Sequence, residues 1–207
     1  MPKLTLHSYR RCPFAIRVRM TLEEKGLAFT NIEENLTDFS PTLLELHPEE
    51  RVPLLIHDTE TGQVVLYESS IITEYLEDTF PEPPLMPRDS ALKAQVRLWT
   101  YWCNQIFKPD LDRAKYELQS LPEDAAKALL SSMHGHLKKL DQSLGKSPYL
   151  VGKDLTLADI HAFPFYRQLT RIRPEIPGLG DYPHLNNWLE QITQRPTFER
   201  VMKKPAV

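Results

Sequence analysis

Cys12 and its neighbours are the residues best suited to chemistry, in the run Arg10-Arg11-Cys12-Pro13. A strand pattern precedes this run, and apolar residues at helical spacing follow it as far as Lys25-Gly26. Proline is favoured at the first position of a helix, so Cys12 is the predicted N-cap, with its sulfur facing the N–H groups of the first turn. Those N–H groups and the two arginines stabilise a thiolate relative to a thiol. The sequence therefore predicts a reactive cysteine at the mouth of a helix.

An inert role for Cys12 is the alternative. Free cysteines are often buried and unreactive, so Cys12 could simply fill the contact between strand and helix. Its cap position, the proline after it and the two arginines before it together favour the reactive interpretation.

The composition is that of an ordinary globular protein. The chain has 207 residues, of which 41% are hydrophobic and 26% are charged, enough for one domain or two. No apolar run reaches membrane-spanning length, and the first residues lack the hydrophobic stretch of a signal peptide. Two cysteines do not make a disulfide framework, so we expect a cytoplasmic protein. The net charge of −3 favours neither a nucleic acid nor a membrane as partner.

A proline-rich segment divides the sequence. Prolines at 81, 83, 84 and 87 cannot continue a helix and favour a stiff, extended connector. We therefore predict a first domain at 1–80, a linker at 81–89 and a second domain at 90–207.

The two predicted domains differ in secondary structure. The first alternates strands and helices, which indicates a small α/β sandwich. The second is helical throughout and is predicted to be an all-α bundle. Its predicted helices include 94–107, bent or ended by Pro109, and 123–144, stopped by Gly145. Thr156 and Asp159 have the spacing of a capping box, which we assign to folding rather than to catalysis.

In combination these motifs resemble a known family. Cys-Pro-Phe-Ala at 12–15, Val52-Pro53, Glu68-Ser69, the proline linker and the Thr-x-x-Asp box are similar to those of cytosolic glutathione transferases over essentially the whole chain. A cysteine at the cap is typical of the omega-class and dehydroascorbate-reductase-like branch. The resemblance implies a thioredoxin-like α/β N-terminal domain and an all-α C-terminal domain. It also implies glutathione as co-substrate without a metal, a small electrophilic or disulfide second substrate, and a homodimer.

The resemblance also implies roles for particular residues. Cys12 is the implied nucleophile, with Phe14 beside it, and the Val52-Pro53 bond is implied to be cis. A cis bond exposes the preceding backbone groups for strand-like pairing with an extended ligand. Ser69 at a helix start offers N–H donors to a carboxylate, and Glu68 can pair with an ammonium group. Singly, Val52-Pro53 also fits a plain strand start and Ser69 a plain helix cap.

Some features depart from the family pattern. Phe39 stands where omega-class proteins place a lysine, and Glu49-Glu50 replace small residues, so either change could weaken glutathione binding. The segment from Leu66 to Pro87 also resembles the stringent starvation proteins. These keep the fold but act as regulators bound to RNA polymerase, which makes a catalytically silent regulator the main rival.

The expected chemistry of Cys12 is thiol–disulfide exchange. Lowering the pKa of a thiol gains little in attack, because nucleophilicity falls with pKa, but it makes the thiol a better leaving group from a mixed disulfide. Ala15 stands where a second cysteine would be needed, so one thiol must suffice. Tyr9 is the candidate hydroxyl for a conjugating transferase instead.

Other residues offer weaker candidates. Cys103 lies in an apolar helix and is predicted to be core. His134 and His136 are two residues apart and do not share a helix face, so no metal site is predicted. Several aromatic residues could line a co-substrate pocket or simply pack a core; they are Trp99, Trp102, Phe107, Tyr116 and Tyr166.

Overall fold

The structure is a computed structural model that describes residues 3–176 and 181–204. Within these ranges the chain forms two compact units. The first contains the residues up to Leu85 together with those from Arg195 onward, and the second runs from Met86 to Gln194. None of the helices described here is long and apolar enough to cross a membrane.

The first unit is built on a four-stranded mixed sheet. Its strands are β1 (Lys3–Ser8), β2 (Phe29–Glu33), β3 (Leu54–Thr59) and β4 (Gly62–Tyr67), and its first three helices are α1 (Pro13–Glu24), α2 (Pro41–Leu46) and α3 (Ser69–Thr79). The spatial order is β2-β1-β3-β4, with β1 and β2 parallel and the other pairs antiparallel. This arrangement confirms the predicted thioredoxin-like domain.

An apolar cluster joins the sheet to two helices. Alternation in β1 places Leu4 and Leu6 on one face, where both are buried. The remaining buried members come from α1, β3 and α3 and are Val18, Leu22, Leu55, Ile72 and Leu76. Each such side chain stabilises the unit by about 1.5–3 kcal/mol relative to exposure. The cluster fixes α1, and with it the position of Cys12 at the start of that helix.

A buried lysine joins the end of α1 to α3 and to the proline-rich segment. Gly26, at φ 64°, ends the helix region as predicted. Lys25 is buried, with Nζ 2.6 Å from a Glu77 carboxylate oxygen. The same ammonium donates to the carbonyls of Phe80 at 2.7 Å and Pro83 at 3.0 Å. The start of the predicted linker is therefore bound to α1 at Pro83 and belongs to the first unit.

The last helix, α9 (Pro196–Met202), packs with the first unit. Arg195, which caps it, donates from Nε and Nη2 to the Glu24 carboxylate at 2.7 and 2.6 Å. Such a bidentate, charge-assisted pair is among the stronger polar contacts in proteins. The boundaries proposed from composition place this helix in 90–207, whereas its packing lies with α1.

The second unit is helical, as predicted for the C-terminal domain. It contains α4 (Ser90–Trp102), a π-helical turn (Cys103–Phe107), α5 (Lys108–Tyr116), α6 (Glu123–Leu144), α7 (Leu157–Ile172) and α8 (Pro183–Thr193). The helix predicted at 94–107 begins earlier, because Asp89 caps it by accepting the Leu92 N–H at 2.9 Å. The predicted bend or end at Pro109 is misplaced: α4 ends at Trp102, the π-helical turn follows, and Pro109 lies in the first turn of α5, where proline is favoured.

The predicted capping box starts α7. Thr156 donates its N–H to Asp159 at 3.0 Å, and its hydroxyl accepts from the first turn of the helix. Asp159 is fully buried and also accepts from the Leu150 N–H at 2.9 Å and the Trp188 indole N–H at 3.0 Å. Burial raises the pKa of Asp159 to about 6, while these donors act in the opposite direction. One carboxyl thus joins α7, α8 and the loop before α7.

We expect Asp159→Ala to destabilise the second unit by about 3–5 kcal/mol, because several buried donors lose their acceptor at once. Chemical denaturation followed by tryptophan fluorescence measures the loss. The control is Asp154→Ala, an exposed aspartate of the preceding loop, which should cost less than about 0.5 kcal/mol. Equal effects of the two substitutions would contradict the role assigned to Asp159.

Candidate active site

Cys12 is the N-cap of α1, as predicted. Its N–H donates to the Tyr9 carbonyl at 3.0 Å, which closes the turn between β1 and α1, and its own carbonyl accepts from Ile16 at 2.9 Å. Pro13 follows at the start of the helix, where its fixed φ suits the first turn. The backbone therefore holds Cys12 from both sides.

The sulfur of Cys12 does not point where the sequence suggested. The side chain makes no capping hydrogen bond with the first turn of α1. Instead Sγ lies 3.9 Å from the Val52 carbonyl oxygen, in position for a weak S–H···O contact. Cys12 as a whole is half-buried. The helix end still contributes its positive dipole, because that effect depends on position rather than on a direct hydrogen bond.

A cavity of about 150 Å³ collects most of the residues selected from the sequence. Phe14, Val52, Pro53, Glu68 and Ser69 line it, and Cys12 adjoins it through the contact with Val52. The Val52-Pro53 peptide bond is cis, which confirms that expectation. Pairing of β3 with β1 begins at Leu54, so Val52 lies two residues beyond that ladder.

Glu68 and Ser69 stand at the start of α3. Glu68 is the N-cap and has φ 67°, a left-handed conformation that costs a non-glycine residue about 1–3 kcal/mol. Such strain is typical of residues held for a ligand. Ser69 is buried, and its hydroxyl accepts from Arg17 Nη1 at 3.3 Å. The first-turn N–H groups of α3, by contrast, have no acceptor within their own helix.

Sequence reasoning missed two residues of this cavity, His47 and Arg51. Burial lowers the pKa of His47, although the charges of Glu49 and Glu68 oppose that effect. Arg51 is exposed and pairs with Glu49 at 3.0 Å. Its position directly before Val52-Pro53 was the available signal. Phe39 lies outside the lining, whereas Arg51 belongs to it.

A buried polar cluster anchors the segment that carries His47 and Arg51. Glu34 accepts from the Ser40 N–H at 2.8 Å and the Ser40 hydroxyl at 2.6 Å, and lies 2.6 Å from His7 Nδ1. Ser40 caps α2, so the cluster fixes where that helix begins. Burial raises the pKa of Glu34, but the bonds from Ser40 and His7 outweigh it, and the net pKa lies below its ordinary value.

Stability from Glu34 should therefore be present at neutral pH and be lost on acidification. The pKa is lower in the folded state than in the unfolded state, so protonation below the ordinary value of 4.5 favours unfolding. We expect Glu34→Gln to cost the most free energy of unfolding near neutral pH and progressively less below about pH 5. Urea denaturation across this range measures the difference.

Glu45→Gln, which changes an exposed carboxylate on α2, serves as control and should cost little at any pH. A cost of Glu34→Gln that stays constant on acidification would contradict the depressed pKa.

Tyr9, the candidate hydroxyl, is engaged by its neighbour. Its oxygen accepts from Arg11 Nε at 2.8 Å, and the Arg11 guanidinium lies 5.4 Å from the ring centroid. Tyr9 is not among the residues that line the cavity. The Tyr9 hydroxyl is therefore paired with a neighbouring side chain of the same loop.

Most of the candidate residues from the second half of the sequence are buried or bonded to other side chains. Cys103, Phe107 and Tyr166 are buried core residues, whereas Tyr116 is 71% exposed. His134 Nδ1 lies 2.7 Å from the Tyr182 hydroxyl, and His136 Nε2 lies 2.9 Å from Asp110. Within residues 3–176 and 181–204, no three His, Cys, Asp or Glu side chains are grouped to hold a metal ion.

Comparison with known proteins agrees with this fold. Family models for the N-terminal and C-terminal domains of glutathione S-transferases match residues 6–84 and 100–196. Glutathione S-transferase U19 of Arabidopsis thaliana is 30% identical over 200 residues, covering 93% of this chain and 86% of the relative. The chain therefore belongs to the glutathione S-transferase family.

Two further relatives carry different names, a stringent starvation protein and a bacterial glutathione S-transferase. A stringent starvation protein A homolog of Haemophilus influenzae is 29% identical over 195 residues, which cover 94% of this chain and 88% of that protein. A glutathione S-transferase of Methylobacterium radiotolerans, solved in complex with glutathione sulfonate, is 26% identical with a TM-score of 0.79. The match covers 99% of this chain and 97% of that one.

Proposed function

We propose that the protein is a glutathione-dependent thiol transferase of the omega-class and dehydroascorbate-reductase-like type, with Cys12 as nucleophile. The observation that carries the proposal is the position of Cys12 as the cap of α1, with its sulfur 3.9 Å from the carbonyl of a residue that lines the cavity. Family membership and a relative solved with glutathione sulfonate support glutathione as the co-substrate.

The cavity offers a partner for each end of the tripeptide. Val52 presents backbone groups beyond the paired part of β3, where an extended peptide can add its main chain. Glu68 supplies a carboxylate for the γ-glutamyl ammonium, and the first-turn N–H groups of α3 at Ser69 suit its carboxylate. Arg51 supplies a guanidinium for a further carboxylate of the ligand.

The reaction needs one thiol in two exchange steps. The Cys12 thiolate attacks the glutathione sulfur of a mixed or symmetrical disulfide, which forms a Cys12–glutathione disulfide and releases the other sulfur as a thiolate that takes up a proton. A second glutathione, as thiolate, then attacks the glutathione sulfur of that disulfide. The products are oxidised glutathione and the regenerated Cys12 thiolate. Ala15 provides no second thiol, so an external glutathione must resolve the intermediate.

Replacement of the nucleophile gives the direct test. We expect Cys12→Ser to lower thiol-transferase activity towards a small mixed disulfide by about 100-fold or more, because a serine hydroxyl cannot form the mixed disulfide. Mass spectrometry after incubation with oxidised glutathione should locate one adduct on Cys12 in the wild type and none in the variant. Cys103→Ala, which removes the buried thiol, should keep both activity and adduct.

Full activity in Cys12→Ser would contradict the proposal. A conjugating transferase would retain activity of Cys12→Ser towards an aromatic chloride and lose it in Tyr9→Phe. Similarity to a stringent starvation protein A homolog supports the regulator as second candidate. That candidate predicts no retention on immobilised glutathione and an RNA polymerase partner in a pull-down.

Arg51 gives a second test, directed at binding. We expect Arg51→Ala to raise the KM for glutathione about 5–10-fold with little change in kcat, because it removes an ionic contact of about 1 kcal/mol from an exposed site. Glu49→Gln should lower the KM, because it releases Arg51 from its ion pair. Steady-state kinetics measures the KM for glutathione in both variants. A rise in both, or a fall in both, would contradict the contact assigned to Arg51.

We further propose a cytoplasmic homodimer, on the strength of family membership. Light scattering of the purified protein measures its mass in solution.

A further inference from the structure

A buried arginine lies behind the loop that carries Cys12. Arg19 stands on α1 seven residues after Cys12 and is 4% exposed. Its Nη1 donates to the Ser8 hydroxyl and to the Tyr9 carbonyl at 3.3 Å, and its Nη2 donates to the Arg10 carbonyl at 2.7 Å. One guanidinium therefore holds three consecutive residues, from the end of β1 into the loop.

Arg19 and Cys12 share an acceptor. The Tyr9 carbonyl receives both the Arg19 guanidinium and the N–H of Cys12. The turn that places Cys12 at the helix mouth is thus fixed from α1 itself. Arg19 Nε is buried with no hydrogen-bond partner among the described residues, which costs stability. The side chain is therefore not optimised for stability alone.

The charge of Arg19 is coupled to two anions. Burial lowers the pKa of Arg19 to about 10, while negative charge on Glu33 and on Cys12 opposes that effect. Electrostatic coupling is reciprocal, so a guanidinium that an ionised sulfur stabilises must stabilise that sulfur equally. Glu33 also accepts the Arg10 N–H at 2.7 Å, which places its carboxylate at the same loop.

Burial separates Arg19 from Arg10 and Arg11, and the equally buried Arg17 differs in that it donates to the Ser69 hydroxyl. Arg11 is exposed and Arg10 half-buried, so water and salt screen them more than Arg19. The charged and titratable side chains in and around the loop and cavity are Tyr9, Arg10, Arg11, Arg17, Arg19, Glu33, His47, Glu49, Arg51 and Glu68. Of these, Arg19 combines burial with bonds to the backbone that positions Cys12.

We infer that Arg19 is a positioning residue for Cys12: it fixes the loop at residues 8–10 and places a buried positive charge behind the thiolate, which Glu33 partly offsets. This role rests on the proposed function of Cys12 as nucleophile, and it identifies what maintains the anion in the absence of a capping hydrogen bond. Arg10 and Arg11, the two arginines named from the sequence, stabilise the thiolate less than Arg19 does.

The test measures how fast iodoacetamide alkylates Cys12 as a function of pH, with the modified peptide identified by mass spectrometry. We expect Arg19→Gln to raise the midpoint by about one pH unit, because the buried charge is lost. Arg19→Lys keeps the positive charge but loses the planar guanidinium that bonds several acceptors at once. Its midpoint should lie between those of Arg19→Gln and the wild type. Glu33→Gln keeps an acceptor for Arg10 and should lower the midpoint, because it removes the offsetting charge.

A loosened loop would shift the alkylation midpoints of Arg19→Gln and Glu33→Gln in the same direction. Shifts in opposite directions therefore report the charges of the two side chains. The control is Arg200→Gln, an exposed arginine that pairs with Glu23 on the other end of α1, and it should leave the midpoint unchanged. If Arg19→Gln does not fold, Glu33→Gln decides, and an unchanged or raised midpoint in that variant overturns the inference.

The two proposals fail in different ways. A wild-type midpoint near the ordinary thiol value of about 8.5 contradicts the proposed function. A low wild-type midpoint that neither Arg19→Gln nor Glu33→Gln moves contradicts the role of Arg19 alone.

Discussion

The site depends on the turn closed by the Cys12 N–H and the Tyr9 carbonyl. This hydrogen bond converts the end of β1 into the start of α1 and leaves the cysteine at the junction. The apolar cluster behind α1 prevents the helix from shifting, and Arg19 prevents the loop from opening. The sulfur makes only a weak contact with Val52, whereas several hydrogen bonds fix the backbone that carries it. This suits a group that must form and break bonds repeatedly.

Local sequence signals predicted most of the fold. The proline after Cys12, the glycine at 26 and the capping box at Thr156 each identify a helix end through a short-range physical cause, and the structure has each of them. The first helix of the second unit was placed too late because Asp89 resembles a linker residue until its bond to Leu92 is seen. Capping depends on backbone geometry that composition does not reveal.

The site was predicted less completely, for a related reason. Residues in recognisable motifs, such as Val52-Pro53 and Glu68-Ser69, were found, and they line one cavity. His47, Arg51 and Arg19 belong to no motif in a single sequence. Their roles come from tertiary contacts, and a buried arginine on an apolar helix resembles an exposed one until its partners are known. The sequence pattern also does not predict the direction in which a side chain points. The sulfur of Cys12 lies against the Val52 carbonyl and not against the first turn of α1.

The attachment of α9 to α1 makes the first unit discontinuous along the chain. Arg195 reaches Glu24 across a sequence separation of 171 residues. During synthesis, domains generally fold in the order in which they leave the ribosome, but here the face of α1 that α9 covers stays uncovered until residues 195–202 have been made. The nascent N-terminal part therefore exposes an acidic helix end, Glu23-Glu24, throughout the synthesis of the second unit.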